Sequence, residues 1–121
     1  MIRFLFVGEQ RSPRAKELGV HLEDGRLAGR SLFDALMACG IDPLRHRYCN
    51  IFEGHGRLVV HRHQRAGWLI IGMGAKVQRE LRRCGIPHYA LVHPAARGAI
   101  RKKHRYAAHV RGVLGRIRLS A

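Results

Sequence analysis

The sequence predicts an α/β domain in which a four-stranded parallel sheet is covered by helices on both faces. Three observations lead there. Four short apolar runs, residues 2–7, 47–52, 68–71 and 88–92, have strand length and turn-rich flanks, as strands buried on both faces do. Helical patterns lie between them, and strands alternating with helices favour parallel pairing through crossover connections. The chain of 121 residues, 46% of them hydrophobic, is long enough for one core and too short for two, so residues 1–121 form a single domain.

Taken in order, the first run, Ile2 to Val7, is a strand ending at Gly8. Residues 31–39 read as a helix with Ser31 as N-cap and Gly40 as its stop. The second strand covers 47–52. Residues 53–67 are compatible with an edge strand or a short helix, and the reading leans to helix. After the third strand, 68–71, a helix runs from about Ala75 to Cys84 and is ended by Gly85 and Pro87. The fourth strand, 88–92, delivers His93 to Pro94, which disfavours helical backbone at the residue before it. A last helix is expected from about Ala99 to Leu114, with the basic tail from Arg111 to Ala121 fraying.

Charge narrows the partner. Lys and Arg number 23 against 8 Asp and Glu, a net charge of +15, and no acidic residue follows Glu80. Such a block calls for a polyanion, and neutralisation of phosphates makes nucleic acid the first choice. An anionic membrane surface would favour an amphipathic helix with aromatics opposite the charges, but the only Trp, Trp68, lies elsewhere. Cys39, Cys49 and Cys84 are odd in number, with no CxxC pair, and read as three buried thiols without a metal. The N-terminal apolar run is too short for a signal peptide, and no run of about 20 apolar residues exists for a membrane span. A cytoplasmic monomer is expected.

In parallel sheets ligands gather at the carboxyl ends of strands. Those ends carry Gly8-Glu9-Gln10, Asn50, Gly72-Met73-Gly74 and His93-Pro94. A carboxylate, an amide, close-approach glycines and an imidazole suit the reading and polarising of a planar heterocycle. Each also has an ordinary explanation: a solvated loop carboxylate for Glu9, a backbone-bonded side chain for Asn50, a structural histidine for His93.

These segments resemble the uracil-DNA glycosylase superfamily. Gly8-Glu9-Gln10 is similar to the start of its GExPG motif, and Leu27-Ala28-Gly29-Arg30-Ser31-Leu32-Phe33 to its AGxLL helix start. Tyr48-Cys49-Asn50-Ile51-Phe52 is similar to YxTNV, Leu69-Ile70-Ile71-Gly72-Met73-Gly74-Ala75 to VxLGxxA, and Val92-His93-Pro94-Ala95-Ala96 to the HPxxL motif. The resemblance implies a three-layer α/β/α sandwich that flips a uracil out of DNA and hydrolyses its glycosidic bond without metal or cofactor. It implies that Glu9 activates water, that Asn50 reads the pyrimidine edge with Gly8 and Gln10 beside it, and that His93 stabilises charge on the departing base. Arg11-Ser12-Pro13 replaces the family's Pro-Gly, and no aromatic stands in the GxPFVG stretch; Phe52 is a candidate substitute, with a place in the core as its ordinary reading. The iron-sulfur cysteines of many relatives are absent.

On the DNA side, Arg97 in Ala95-Ala96-Arg97-Gly98 is the candidate to fill the vacated space or grip a phosphate. Arg101, Lys102 and Lys103 on the next helix are candidate phosphate contacts, with Pro94 at the turn before them; Arg11, Arg14 and Lys16 extend the same cationic rim, and the amides near Ser31 could hold a phosphate. His61 and His63, with His55 nearby, would share one side of a strand as metal ligands, but no carboxylate or CxxC accompanies them. Lys76 after Gly72-Met73-Gly74 lacks P-loop spacing. Two alternatives remain open: a weak or inactive protein of the same fold that binds DNA or a modified base, and a small basic RNA-binding protein.

Overall fold

The apolar run at residues 4–8 becomes an inner strand because neither of its sides carries a polar group to face water. The computed structural model describes residues 2–120, with side chains through residue 118. Strand β1 (Phe4–Gly8) is buried along its whole length, flanked in parallel by β2 (Arg47–Asn50) and β3 (Leu69–Met73), and β4 (Tyr89–Leu91) pairs parallel to β3. The order is β2-β1-β3-β4.

The helices are α1 (Pro13–Leu18), α2 (Ala28–Ala38), α3 (Gly56–Arg65), α4 (Ala75–Arg83) and α5 (Lys103–Ser120). Because side chains alternate along a strand, Phe4 and Phe6 join Ile71 and Met73 on one face, under Leu32 and Leu36 of α2 and Tyr106, Val110 and Leu114 of α5. Leu5, Val7 and Ile70 face the other way, under Val60 of α3 and Val77 and Leu81 of α4. Three layers result. Glu80 of α4 ties this second helical layer together, accepting from Arg83 and from Arg57 of α3 at 2.6 Å each. Those hydrogen bonds, Arg83's the larger, hold its carboxyl down to about 2.

Several expected boundaries move, each for a physical reason. Helix α2 starts at Ala28, so Ser31 lies inside its first turns and is not the N-cap; Gly29 permits this, since a Cβ there would stand 2.5 Å from the Leu22 carbonyl oxygen. Leu27, at the cap position, has φ 55° and ψ −126°. Helix α1 was not foreseen; the Ser12 hydroxyl accepts from Ala15 N–H at 3.1 Å and Pro13 opens its first turn. Residues 53–67 do contain a helix, α3. Its Gly56 lies so close to the Asn50 and Ile51 carbonyls that a side chain would collide with them.

At the C-terminus, Ala99–Arg101 form a 3-10 turn, Lys102 is extended at ψ 129°, and the α-helix begins only at Lys103. The basic tail is helical through Ser120 instead of fraying from Arg111. Val110, Leu114 and Ile117 fall on one buried stripe, and that packing outweighs the tail's charge. The end of the predicted tail, Ala121, lies outside the described residues. Among the described residues no helix is long and apolar enough to cross a membrane.

Candidate active site

The chain leaves β1 toward β2 over one face and returns to β3 over the other, so the carboxyl end of β1 lies where the direction of winding reverses. Gly8 is in register with Asn50, and pairing continues past both strands: Ile51 N–H donates to the Gly8 carbonyl at 2.9 Å and Phe52 N–H to the Glu9 carbonyl at 3.1 Å. Glu9 and Asn50 are thereby fixed on adjacent strand ends. On the other side, Tyr106 of α5 donates its hydroxyl to the Val92 carbonyl at 2.8 Å, and Val92 N–H donates to His109 Nε2 at 3.0 Å. These two bonds hold the residue before His93. Glu9, Asn50 and His93 all line one cavity of ≈ 370 Å³, with Gln10, Arg11 and Ala28. That volume falls within the usual range for small-ligand sites.

Hydrogen bonding determines the state of the imidazole. His93 Nδ1 faces Ala95 N–H at 3.0 Å, and since a backbone amide can only donate, the neutral ring carries its proton on Nε2. Burial lowers its pKa against the opposing charge of Glu9, so the neutral form is favoured. Glu9, about one-third exposed, has Lys76 Nζ at 3.5 Å. Asn50 Nδ2 donates to Glu53 Oε2 at 2.8 Å, while Arg11 Nε donates to Glu53 Oε1 at 3.1 Å. Burial opposes ionisation of Glu53, but these bonds and the charge of Arg11 outweigh it and hold its pKa below the usual carboxylate value.

The other expected residues divide. Gly8 does its part by lacking a side chain: a Cβ there would stand 2.5 Å from Asn50 Oδ1. Ser31, Pro94, Arg97 and Arg101 line a neighbouring groove of ≈ 450 Å³ together with Leu27 and Ala28. Lys102 is exposed outside that groove, and Lys103 pairs with Asp34 at 3.4 Å. Phe52 does not line the cavity. Ile51 takes the core position after β2 and turns Phe52 outward, where its ring lies under the Arg57 guanidinium at 5.4 Å, so the expected stacking aromatic is missing there.

His61 and His63 fall on helix α3, where alternate residues diverge; among the described residues no group of His, Cys, Asp and Glu is arranged to hold a metal ion. Lys76 faces Glu9 and also lines a second depression of ≈ 660 Å³ that shares Glu9 and His93. The three cysteines are free but half-buried, not buried as expected; burial, with the charge of Glu23, pushes Cys49 up to about 12. Sequence reading missed Glu53, Tyr106 and His109. Glu53, three residues beyond Asn50, carried a signal in its spacing; the other two act from a distant helix and carried none.

No protein-family model matches the chain, and no curated protein matches it in sequence. A functional reading therefore rests on the residues and their geometry.

Proposed function

We propose that the protein is a DNA base-excision glycosylase that hydrolyses the N-glycosidic bond of uracil, or a related pyrimidine, after flipping the nucleotide from the stack. The observation that carries this reading is the meeting of Glu9, Asn50 and His93, 84 residues apart at the extremes, around one cavity beside a basic groove. Extrusion exposes a bond that stacking conceals, and Arg97 and Arg101 supply phosphate contacts near the cavity mouth. Asn50 reads the polar edge of the base. As the bond to N1 lengthens, negative charge develops on the base and is met by the neutral His93 Nε2–H, a preorganised donor whose proton stays on the ring. Glu9 offsets the positive charge growing on the sugar and accepts a proton from the water that adds to C1′. The base departs as its anion and is protonated by solvent.

The test is a labelled oligonucleotide with one deoxyuridine, incubated with protein and then with alkali to break abasic sites. Cleavage that disappears in Glu9→Ala and His93→Ala supports the reading. Tight DNA binding with no base release selects a second reading, a catalytically inactive binder of DNA or a modified base. Two observations favour it: the outward position of Phe52 and the Lys76 ammonium beside Glu9.

A further inference from the structure

We propose that Glu53 is a positioning residue that locks the Asn50 amide in one of its two orientations, so that the cavity selects bases presenting an N–H beside a carbonyl. The inference rests on the base-excision reading above and names what that site selects.

A side-chain amide is nearly the same shape when turned over; only the donor and the acceptor exchange places. The two pyrimidine edges differ in the same way. Uracil presents a ring N–H next to a carbonyl, while cytosine presents a bare ring nitrogen next to an amino group. An asparagine free to turn over could read either edge. Discrimination needs something that holds the amide.

Glu53 supplies it. An ionised carboxylate accepts hydrogen bonds and cannot donate, so the group that Asn50 turns toward Glu53 Oε2, 2.8 Å away, must be its NH2. Turning the amide over would bring a carbonyl oxygen against a carboxylate oxygen, costing roughly tenfold or more in the ratio of the two orientations. Arg11 secures the other oxygen at 3.1 Å. Across the amide, Asn50 Oδ1 lies against Gly8, which has no side chain to displace it. The acceptor is therefore held on the β1 side and the donor on the Glu53 side. One N–H of the amide remains for the base.

The substitution Glu53→Gln turns this logic against itself. Arg11 still needs an acceptor and takes the oxygen of the new amide, leaving an NH2 facing Asn50, which must then present its carbonyl. Release of uracil and of cytosine is measured on single-stranded oligonucleotides identical but for that base. The ratio of the two rates is expected to fall at least tenfold in Glu53→Gln, while Glu53→Ala loses rate on uracil with a smaller change in ratio. A ratio unaltered in Glu53→Gln, whatever the absolute rates, overturns the proposal, and a ratio is insensitive to partial misfolding. Should the unaltered protein release no base at all, the base-excision reading fails by itself. The lock is then read by NMR of the Asn50 side-chain amide during titration with free uracil and free cytosine. Preference for uracil that Glu53→Gln removes sustains it; equal response of the unaltered protein to both bases overturns it.

Discussion

Replacing Gly8 with Ala tests the geometry of the site at its narrowest point. Gly8 does not have positive φ, so alanine can adopt its backbone without strain. The added methyl would stand 2.5 Å from Asn50 Oδ1 and 3.1 Å from Leu22 Cδ1. A comfortable carbon–oxygen separation is about 3.3 Å, so the amide must retreat roughly 0.8 Å. A misplacement near 1 Å in a positioning group costs on the order of a hundredfold in rate. Overpacking costs stability by about 1–3 kcal/mol, offset by roughly 0.5–1 kcal/mol from removing a glycine inside a strand. Gly8→Ala should therefore remain folded at assay temperature while losing most of its uracil release on single-stranded DNA. Thermal melting and initial rates measured on one preparation decide the matter. An undiminished rate would refute the argument, as would a rate loss explained entirely by unfolding.

Removing the His93 side chain should cost about 10²–10³ in uracil release, the usual value of one oxyanion donor, as read from single-turnover rates. Arg97→Ala with Arg101→Ala should weaken DNA binding equally for all sequences and flatten the dependence of log affinity on log salt by up to about 1.8; an unchanged slope would remove the groove from the DNA path. Burial lowers the pKa of His46, His93 and His109, with Arg118 adding to the effect at His46 and Arg116 at His109, while Glu9 opposes it at His93. Each binds its proton more readily when unfolded. The stability they contribute is complete above their ordinary pKa of 6.5 and is lost as pH falls through the folded values. The melting temperature should thus fall from pH 7.5 to pH 5, with a shallower fall in His46→Gln. Leu27, at φ 55°, stores about 1–3 kcal/mol of backbone strain. Leu27→Gly should raise the urea midpoint, and a lowered midpoint would argue that packing, not strain, dominates there.

The part of the fold legible in the sequence follows from short-range pattern. Short apolar runs with turn residues at their ends marked all four strands, but burial on both faces holds only for the inner pair, β1 and β3; β2 and β4 lie at the sheet edges, where Arg47 and Tyr89 stay exposed. Gly85 ended α4 as expected, since a left-handed residue at that position favours glycine. Boundaries failed where a distant contact overrode local preference. Gly29 against the Leu22 carbonyl moved the start of α2, and burial of Val110, Leu114 and Ile117 carried α5 through residues whose charge suggested fraying.

The sequence by itself determined the α/β alternation, the cationic surface, and the placement of Glu9, Asn50 and His93 at strand ends. Only the tertiary structure decided that these three share a cavity, that Phe52 points away from it, and that Glu53, Tyr106 and His109 hold its walls. The division has a physical cause. Whether a residue enters a strand depends on neighbours a few positions away along the chain. Which way an amide faces, or which nitrogen of an imidazole keeps its proton, depends on groups brought near by the fold.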